Sequence, residues 1–261
     1  MVTSSIVTKT ACVLDFVCTR SEPLSFTQIV RATGLQKSAT HRILSILREE
    51  RLLTYDATSQ TYTPGNRLTG WAVGVFRADN LPALCESAMD LLCVRSDAHV
   101  ALSILDGTSV LHLKTVEAGE PYRLAARVGE RSPVHATAAG KVLLANQSHA
   151  KQDFLVSQLH LERFTEFTHA NAAAFTAELQ ATRERGYAEC DREEFLQVAG
   201  ISCAIVAAHG SPVGAISFWA QVDRHDMESL RRHAPSLMEA TEALSRRLGH
   251  SAHTQDLDLP S

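Results

Sequence analysis

Between Lys37 and Arg42 the chain places two cations, two hydroxyls and an imidazole in the run Lys-Ser-Ala-Thr-His-Arg. Short polar and basic side chains at that density suit contacts with phosphate oxygens and with base edges. A second stretch with chemical potential is His135-Ala-Thr-Ala-Ala-Gly-Lys141. Thr137 can cap a helix that starts at Ala138, and the small residues let a ligand approach the backbone. The N–H groups of Ala138 and Ala139 would have no intrahelical acceptor, and with the positive helix end they would form an anion site. An ordinary, tightly packed helix start has the same sequence. His135, Asp191 and Cys203 are the residue types of a cysteine hydrolase. No nucleophile elbow, protease signature, P-loop or HExxH surrounds them, so catalysis is not expected.

These residues need elements to hold them. Ser25-Phe-Thr-Gln28 has the form of a capping box, followed by the apolar Ile29 and Ala32 and a stop at Gly34. A second helix is expected over 37–49, with Ala39, Ile43, Ile46 and Leu47 on its apolar face. Its other face carries Lys37, Ser38, His41, Arg42, Ser45 and Arg48. Two short helices joined by a tight Gly turn are a helix-turn-helix. The stretch Thr8–Cys18 supplies a third helix through Ala11, Leu14, Val17 and Cys18. Leu52–Tyr55 and Thr61–Thr63, separated by a polar loop, read as a β-wing. Helices are then expected over 68–76 and 79–94, either as a dimerising linker or packed on their own domain. Beyond them the period changes to two. Strands are expected over 99–105, 110–116, 122–128, 187–190, 201–208 and 213–220. Helices are expected over 138–146, 152–159 and 175–185, with a final helix to Leu248 that Pro235 breaks or kinks. Antiparallel strands with helices around them make an α+β domain.

The 261 residues suffice for two domains. Residues 1–67 hold eight Lys/Arg against five Asp/Glu, a formal +3, and the remainder is −7. A basic head on an acidic body fits a small nucleic-acid-binding module joined to a domain with another task. The six cysteines are scattered without a CxxC pair, so neither a metal nor a disulfide framework is expected, and no cofactor is implied. Together with the missing secretory signal and membrane span, this suggests a cytoplasmic protein with no membrane partner.

Ser25-Phe-Thr-Gln-Ile-Val-Arg-Ala-Thr-Gly-Leu-Gln-Lys-Ser-Ala-Thr-His-Arg-Ile-Leu44 resembles the helix-turn-helix of IclR-type transcription regulators. Arg127–Ala145, Arg183–Ala188 with Glu193-Glu194, and Gly214–Ser217 are similar to later motifs of that family, so the resemblance covers roughly 6–248. It implies a winged helix-turn-helix over 1–67, a linker helix over 68–80, a GAF-like effector-binding domain over 81–249 and a polar tail over 250–261. The helix from Lys37 would enter the major groove of pseudo-palindromic operator DNA, with Lys37, Ser38, Thr40, His41 and Arg42 as the contacting set. The protein would work as a homodimer or a dimer of dimers. In related regulators the amides matching Ala138 and Ala139 hold an effector carboxylate, which implies a small organic acid and control of a catabolic operon. The resemblance also carries over Asp191, Cys203 and Ser217 as polar pocket residues, although Cys203 lies in an apolar strand and equally suits a core position; Trp219 alternates with Ser217 and so faces the same side of its strand. Some relatives that bind very small keto-acids carry a second Ser at the position of Trp219, which argues here against a tiny polar effector; Trp219 either stacks on an aromatic or bulkier acid or simply fills the cavity. A domain with a degenerate, empty pocket is the competing expectation.

Overall fold

A computed structural model describes residues 6–20, 22–71, 81–119, 125–208 and 210–249. The chain divides into two compact units, 1–80 and 81–261.

The first unit contains α1 (Ile6–Cys18), β1 (Leu24–Ser25), α2 (Phe26–Thr33), α3 (Lys37–Glu49), β2 (Leu53–Asp56) and β3 (Thr61–Pro64). The capping box at α2 is complete: Gln28 N–H donates to the Ser25 hydroxyl, and the Ser25 N–H donates back to the Gln28 carbonyl oxygen at 2.8 Å. Gly34 ends the helix at φ +64°, a left-handed conformation that a side chain would strain. Val13, Val17, Ile29, Ile43, Leu44, Leu47 and Leu53 close the core. The wing is β2 against β3, and the short β1 adds a third antiparallel strand on the other edge of β3, an element the sequence reading lacked. Two helical faces also differ from expectation. In α1 Val13 is buried and Cys18 exposed, and in α3 Thr40 and Leu44 are buried while Ile46 faces solvent. The helical period drifts relative to a simple count of apolar residues, so the core takes Thr40 and leaves Ile46 outside.

Residues 66–71 continue as helix. The expected linker falls mainly at 72–80, outside the described residues, as do the 250–261 tail and residues 122–124 of the strand placed at 122–128. Of that strand, residues 125–128 are not extended into a ladder, and the edge strand lies instead at Arg131–Pro133.

The second unit begins with α4 (Leu81–Ser96) and builds β4 (His99–Asp106), β5 (Ser109–Val116) and β6 (Arg131–Pro133). A 3-10 turn at Val134–Ala136 leads into α5 (Ala138–Ala145), followed by α6 (His149–Gln158) and α7 (Ala172–Arg185). The chain then forms β7 (Ala188–Asp191), β8 (Val198–Val206) and β9 (Pro212–Gln221), and ends on α8 (Met227–Arg232) and α9 (Ala234–Arg247). The last two helices answer the expected break, since Pro235 sits in the first turn of α9, where its missing N–H breaks no helical bond. The six strands form one antiparallel sheet in the order β6-β5-β4-β9-β8-β7.

Period-two alternation separates two apolar layers. Val100, Leu102, Ile201, Ile205, Ile216 and Phe218 face α4, α8 and α9. Val110, Ala188, Cys190 and Ala215 face α5 and α7. The buried α5 sits against the second face because it is built from small and apolar residues, Ala-Ala-Gly-Lys-Val-Leu-Leu-Ala. Gly140 makes that packing possible: a Cβ there would lie 2.1 Å from the Val134 carbonyl oxygen of the preceding 3-10 turn. At the other end of α5, Arg183 donates to the carbonyls of Ala145 (2.8 Å) and Gln147 (3.2 Å), satisfying acceptors that the helix end leaves open.

Candidate functional site

In the first unit, α3 presents Lys37, Ser38, His41 and Arg42 to solvent on one side, with Arg48 exposed near its end. The helix starts at Lys37, so these groups occupy its first two turns. Thr40 does not join them. It is fully buried, and its hydroxyl donates to the Gln36 carbonyl at 3.1 Å. An inward-facing threonine that spends its proton on its own helix has no means of touching a partner, so the expectation for Thr40 is corrected. His41 lies beside Phe26 of α2, with ring centroids 6.2 Å apart.

In the second unit a pocket opens on the sheet face that α5 covers, enclosing about 500 Å³ of empty space, part of it open to solvent. Thr137 caps α5 as expected, its hydroxyl accepting from the Gly140 N–H at 3.2 Å. The first intrahelical bond runs from the Lys141 N–H to the Thr137 carbonyl. Ala138 and Ala139 thus begin the helix with N–H groups that have no acceptor within it, and both residues line the pocket. Ser217 and Trp219, two residues apart on β9, line it too. Ser217 donates to the Ser202 hydroxyl at 2.8 Å. Trp219 is 5% exposed and belongs to an apolar end of the pocket with Ala101, Val198, Phe195, Ala125 and Ala126.

Two expected members lie elsewhere. Cys203 alternates with Ser202 on β8 and therefore points to the opposite face, into the core beneath α4 and α9. Burial pushes its thiol up to about 12. Asp191 alternates with Cys190 on β7; Cys190 lines the pocket, whereas the Asp191 carboxylate pairs with the Arg192 guanidinium at 2.8 and 3.1 Å on the outside. Both corrections follow from the twofold period of a strand, in which a shift of one residue reverses the face.

The sequence reading also missed a polar wall. Ser103 of β4, His112 of β5 and Ser132 of β6 come from consecutive strands and line the pocket together with Glu194. His112 Nδ1 lies 2.9 Å from the Ser103 hydroxyl, and Nε2 lies 3.1 Å from the Ser132 hydroxyl. A register shift between Leu102 and Ser103 sets Ser103 opposite His112. Burial pushes the imidazole down to about 4, so it is neutral near pH 7. Burial raises the Glu194 carboxyl to about 7, with a hydrogen bond from Ser132 opposing the shift. The legible signal was a buried-face polar residue in an otherwise apolar strand: Ser103 alternates with Ala101, and His112 with Val110.

Below the pocket, the buried Lys141 of α5 pairs with Glu193 at 2.6 Å and approaches Glu178 at 3.5 Å. Desolvation opposes its charge, but the facing Glu193 carboxylate outweighs that and holds the ammonium above its ordinary range. The Glu193 carbonyl accepts from Thr168 at 2.7 Å, so the segment carrying Glu194 and Phe195 is anchored at Glu193 from two sides. Among the described residues no group of three His, Cys, Asp or Glu is placed to hold a metal ion, and no helix is long and apolar enough to cross a membrane.

Two family models match the chain: the IclR helix-turn-helix domain over residues 7–57 and the bacterial transcriptional regulator IclR C-terminal domain over residues 74–246. The HTH-type transcriptional regulator XynR of Escherichia coli is 31% identical, over 92% of this chain and 95% of that protein. The probable transcriptional regulator SauR of Cupriavidus necator is 29% identical, over 89% of this chain and 92% of its own. A crystal structure of an IclR homologue from Microbacterium hydrocarbonoxydans, complexed with 4-hydroxybenzoate, shares the fold at a TM-score of 0.75 and 23% identity, over 92% of this chain and 100% of that one. With models for both units matched in order across most of its length, the chain belongs to the IclR family of bacterial transcriptional regulators.

Proposed function

We propose that this regulator binds a pseudo-palindromic operator through Lys37, Ser38, His41 and Arg42 of α3, and that a small organic acid in the pocket of its second unit alters that binding. The observation that carries the reading is the start of α5. Ala138 and Ala139 bring amides without helical acceptors, and the positive helix end, to the wall of the pocket. The acid's carboxylate sits there, its body lies against Ser217 and Trp219, and the protein acts as a homodimer or a dimer of dimers. Two-fold pairing doubles the length of DNA that one recognition helix can read. Regulators of this kind suit the control of a catabolic operon whose substrate or product is the acid. The 4-hydroxybenzoate bound by the Microbacterium homologue supports an aromatic acid, as does the indole in the wall.

A thermal-shift screen of aliphatic and aromatic carboxylic acids tests the reading. A ligand that binds only the folded protein stabilises it by about 2.7 kcal/mol at a hundredfold excess over Kd. The acid that raises Tm is then added to the protein bound to DNA from its own promoter region, and a change in affinity is expected. Stabilisation without any change in DNA binding would contradict the regulatory half of the reading.

A further inference from the structure

We propose that His99 is a positioning residue: it holds the Trp219 indole in place and so sets the length of aromatic acid that the pocket accepts. The inference rests on the reading of the pocket as an aromatic-acid site and concerns how far from the start of α5 the acid can reach.

The sheet gives Trp219 two cross-strand partners. On β8 the partner is Gly200, which has no side chain and lines the pocket. On β4 the partner is His99, whose imidazole stacks on the indole with ring centroids 4.3 Å apart. Of the two partners, only His99 can therefore fix the plane of the indole. His99 is buried and is not among the residues that line the pocket, whereas Trp219 is. The imidazole thus backs the indole from outside the cavity.

The imidazole is itself tied down. Its Nδ1 accepts from the Ala118 N–H at 3.2 Å. The Ala118 carbonyl accepts from Arg224 at 3.3 Å, and the same guanidinium donates to the Asp97 carboxylate at 3.1 Å, two residues before His99. A ring anchored in this way cannot retreat when a ligand presses on the indole. Trp219 packs with Ala101, Val198 and Phe195 at the apolar end of the pocket, so an acid whose carboxylate sits on α5 meets the indole with its far end. Removing the imidazole opens a space behind the indole that the surroundings fill only in part. The indole can then move back into it, and the pocket lengthens by about the thickness of a ring.

The test is isothermal titration of the full chain with benzoate, 2-naphthoate and biphenyl-4-carboxylate. The parent should prefer benzoate to biphenyl-4-carboxylate by about tenfold. His99→Ala should bind biphenyl-4-carboxylate about tenfold more tightly than the parent does, a gain that a merely weakened fold would not produce. His99→Asn retains an acceptor for the Ala118 N–H and removes the stack, so it should show the same gain even if His99→Ala does not fold. His99→Phe keeps a ring against the indole and loses the acceptor. Its Tm should fall while its preference stays that of the parent. Parent affinities that do not fall with the length of the acid overturn the inference alone. So does the lack of a gain for the longer acids in folded His99→Ala and His99→Asn, or a gain in His99→Phe equal to that in His99→Asn. Absence of binding by all of these acids, to the parent and to the variants, overturns the aromatic-acid reading of the pocket, and the inference with it.

Discussion

The imidazole of His99 lies flat against the indole of Trp219, with ring centroids 4.3 Å apart and planes 21° from parallel. The two residues are cross-strand partners on β4 and β9, so the sheet register itself creates the stack. The contact holds the indole as a rigid floor at the apolar end of the pocket. Burial lowers the His99 pKa, which keeps the ring neutral and free of charge repulsion from nearby Arg224.

Emission from Trp219 should therefore report occupancy. Trp71 is the other tryptophan and is half exposed, so Trp71→Phe removes its background. In that variant an acid that raises Tm should shift or quench the emission by a readily measured fraction. An unchanged spectrum at saturation would remove Trp219 from the binding surface.

The faces of α3 make separate predictions. Arg42→Ala should weaken DNA binding roughly tenfold and reduce the salt dependence by about one phosphate contact, with Tm unchanged. Thr40→Ala should behave in the opposite way. Its methyl and hydroxyl fill the core of the first unit, so Tm should fall by several degrees, about 1 kcal/mol, with DNA affinity retained well below the transition. Fluorescence anisotropy in a salt series and a melting curve separate the two, and a loss of DNA affinity in folded Thr40→Ala would return that residue to the interface.

Much of the fold was legible because local rules agree with the packing. The capping box at Ser25, Gly34 at the end of α2 and Thr137 at the start of α5 are local signals, and each is used as read. The pocket was legible in part. Ala138, Ala139, Ser217 and Trp219 do share it, because a helix start and one face of a strand are set by local pattern. Asp191 and Cys203 miss it because which face of β7 and β8 meets α5 depends on the sheet order, in which β9 separates β4 from β8. Glu194 and Ser132 come together only through tertiary structure, being far apart in sequence and joined by a bend that Glu193 anchors. No periodicity could have paired them.

Lys141 and Glu193 are coupled by burial. Removing one partner strands the other charge in the interior, so Lys141→Met should cost about 3–5 kcal/mol. The double variant Lys141→Met, Glu193→Gln should recover a large part of that loss, because no uncompensated charge remains at that pair. Urea unfolding of the four proteins of the cycle measures the coupling. A single variant within about 0.5 kcal/mol of the parent would mean that Glu193 takes up a proton at little cost and that the pair does not hold the loop.

The most direct test of the account is the affinity of Ala138→Pro for the acid found by the thermal screen. Thr137 has φ −128° and ψ 144°, the extended conformation that a following proline requires. Position 138 is the first helical residue, where proline breaks no helical bond. The helix should survive, as checked by circular dichroism, while one donor to the carboxylate is lost. A hydrogen bond to a charged group is worth roughly 1.5–3 kcal/mol, so titration calorimetry should show affinity reduced about ten- to a hundredfold. A folded variant that binds the acid as tightly as the parent would contradict the account, because the carboxylate would then be held somewhere other than the start of α5.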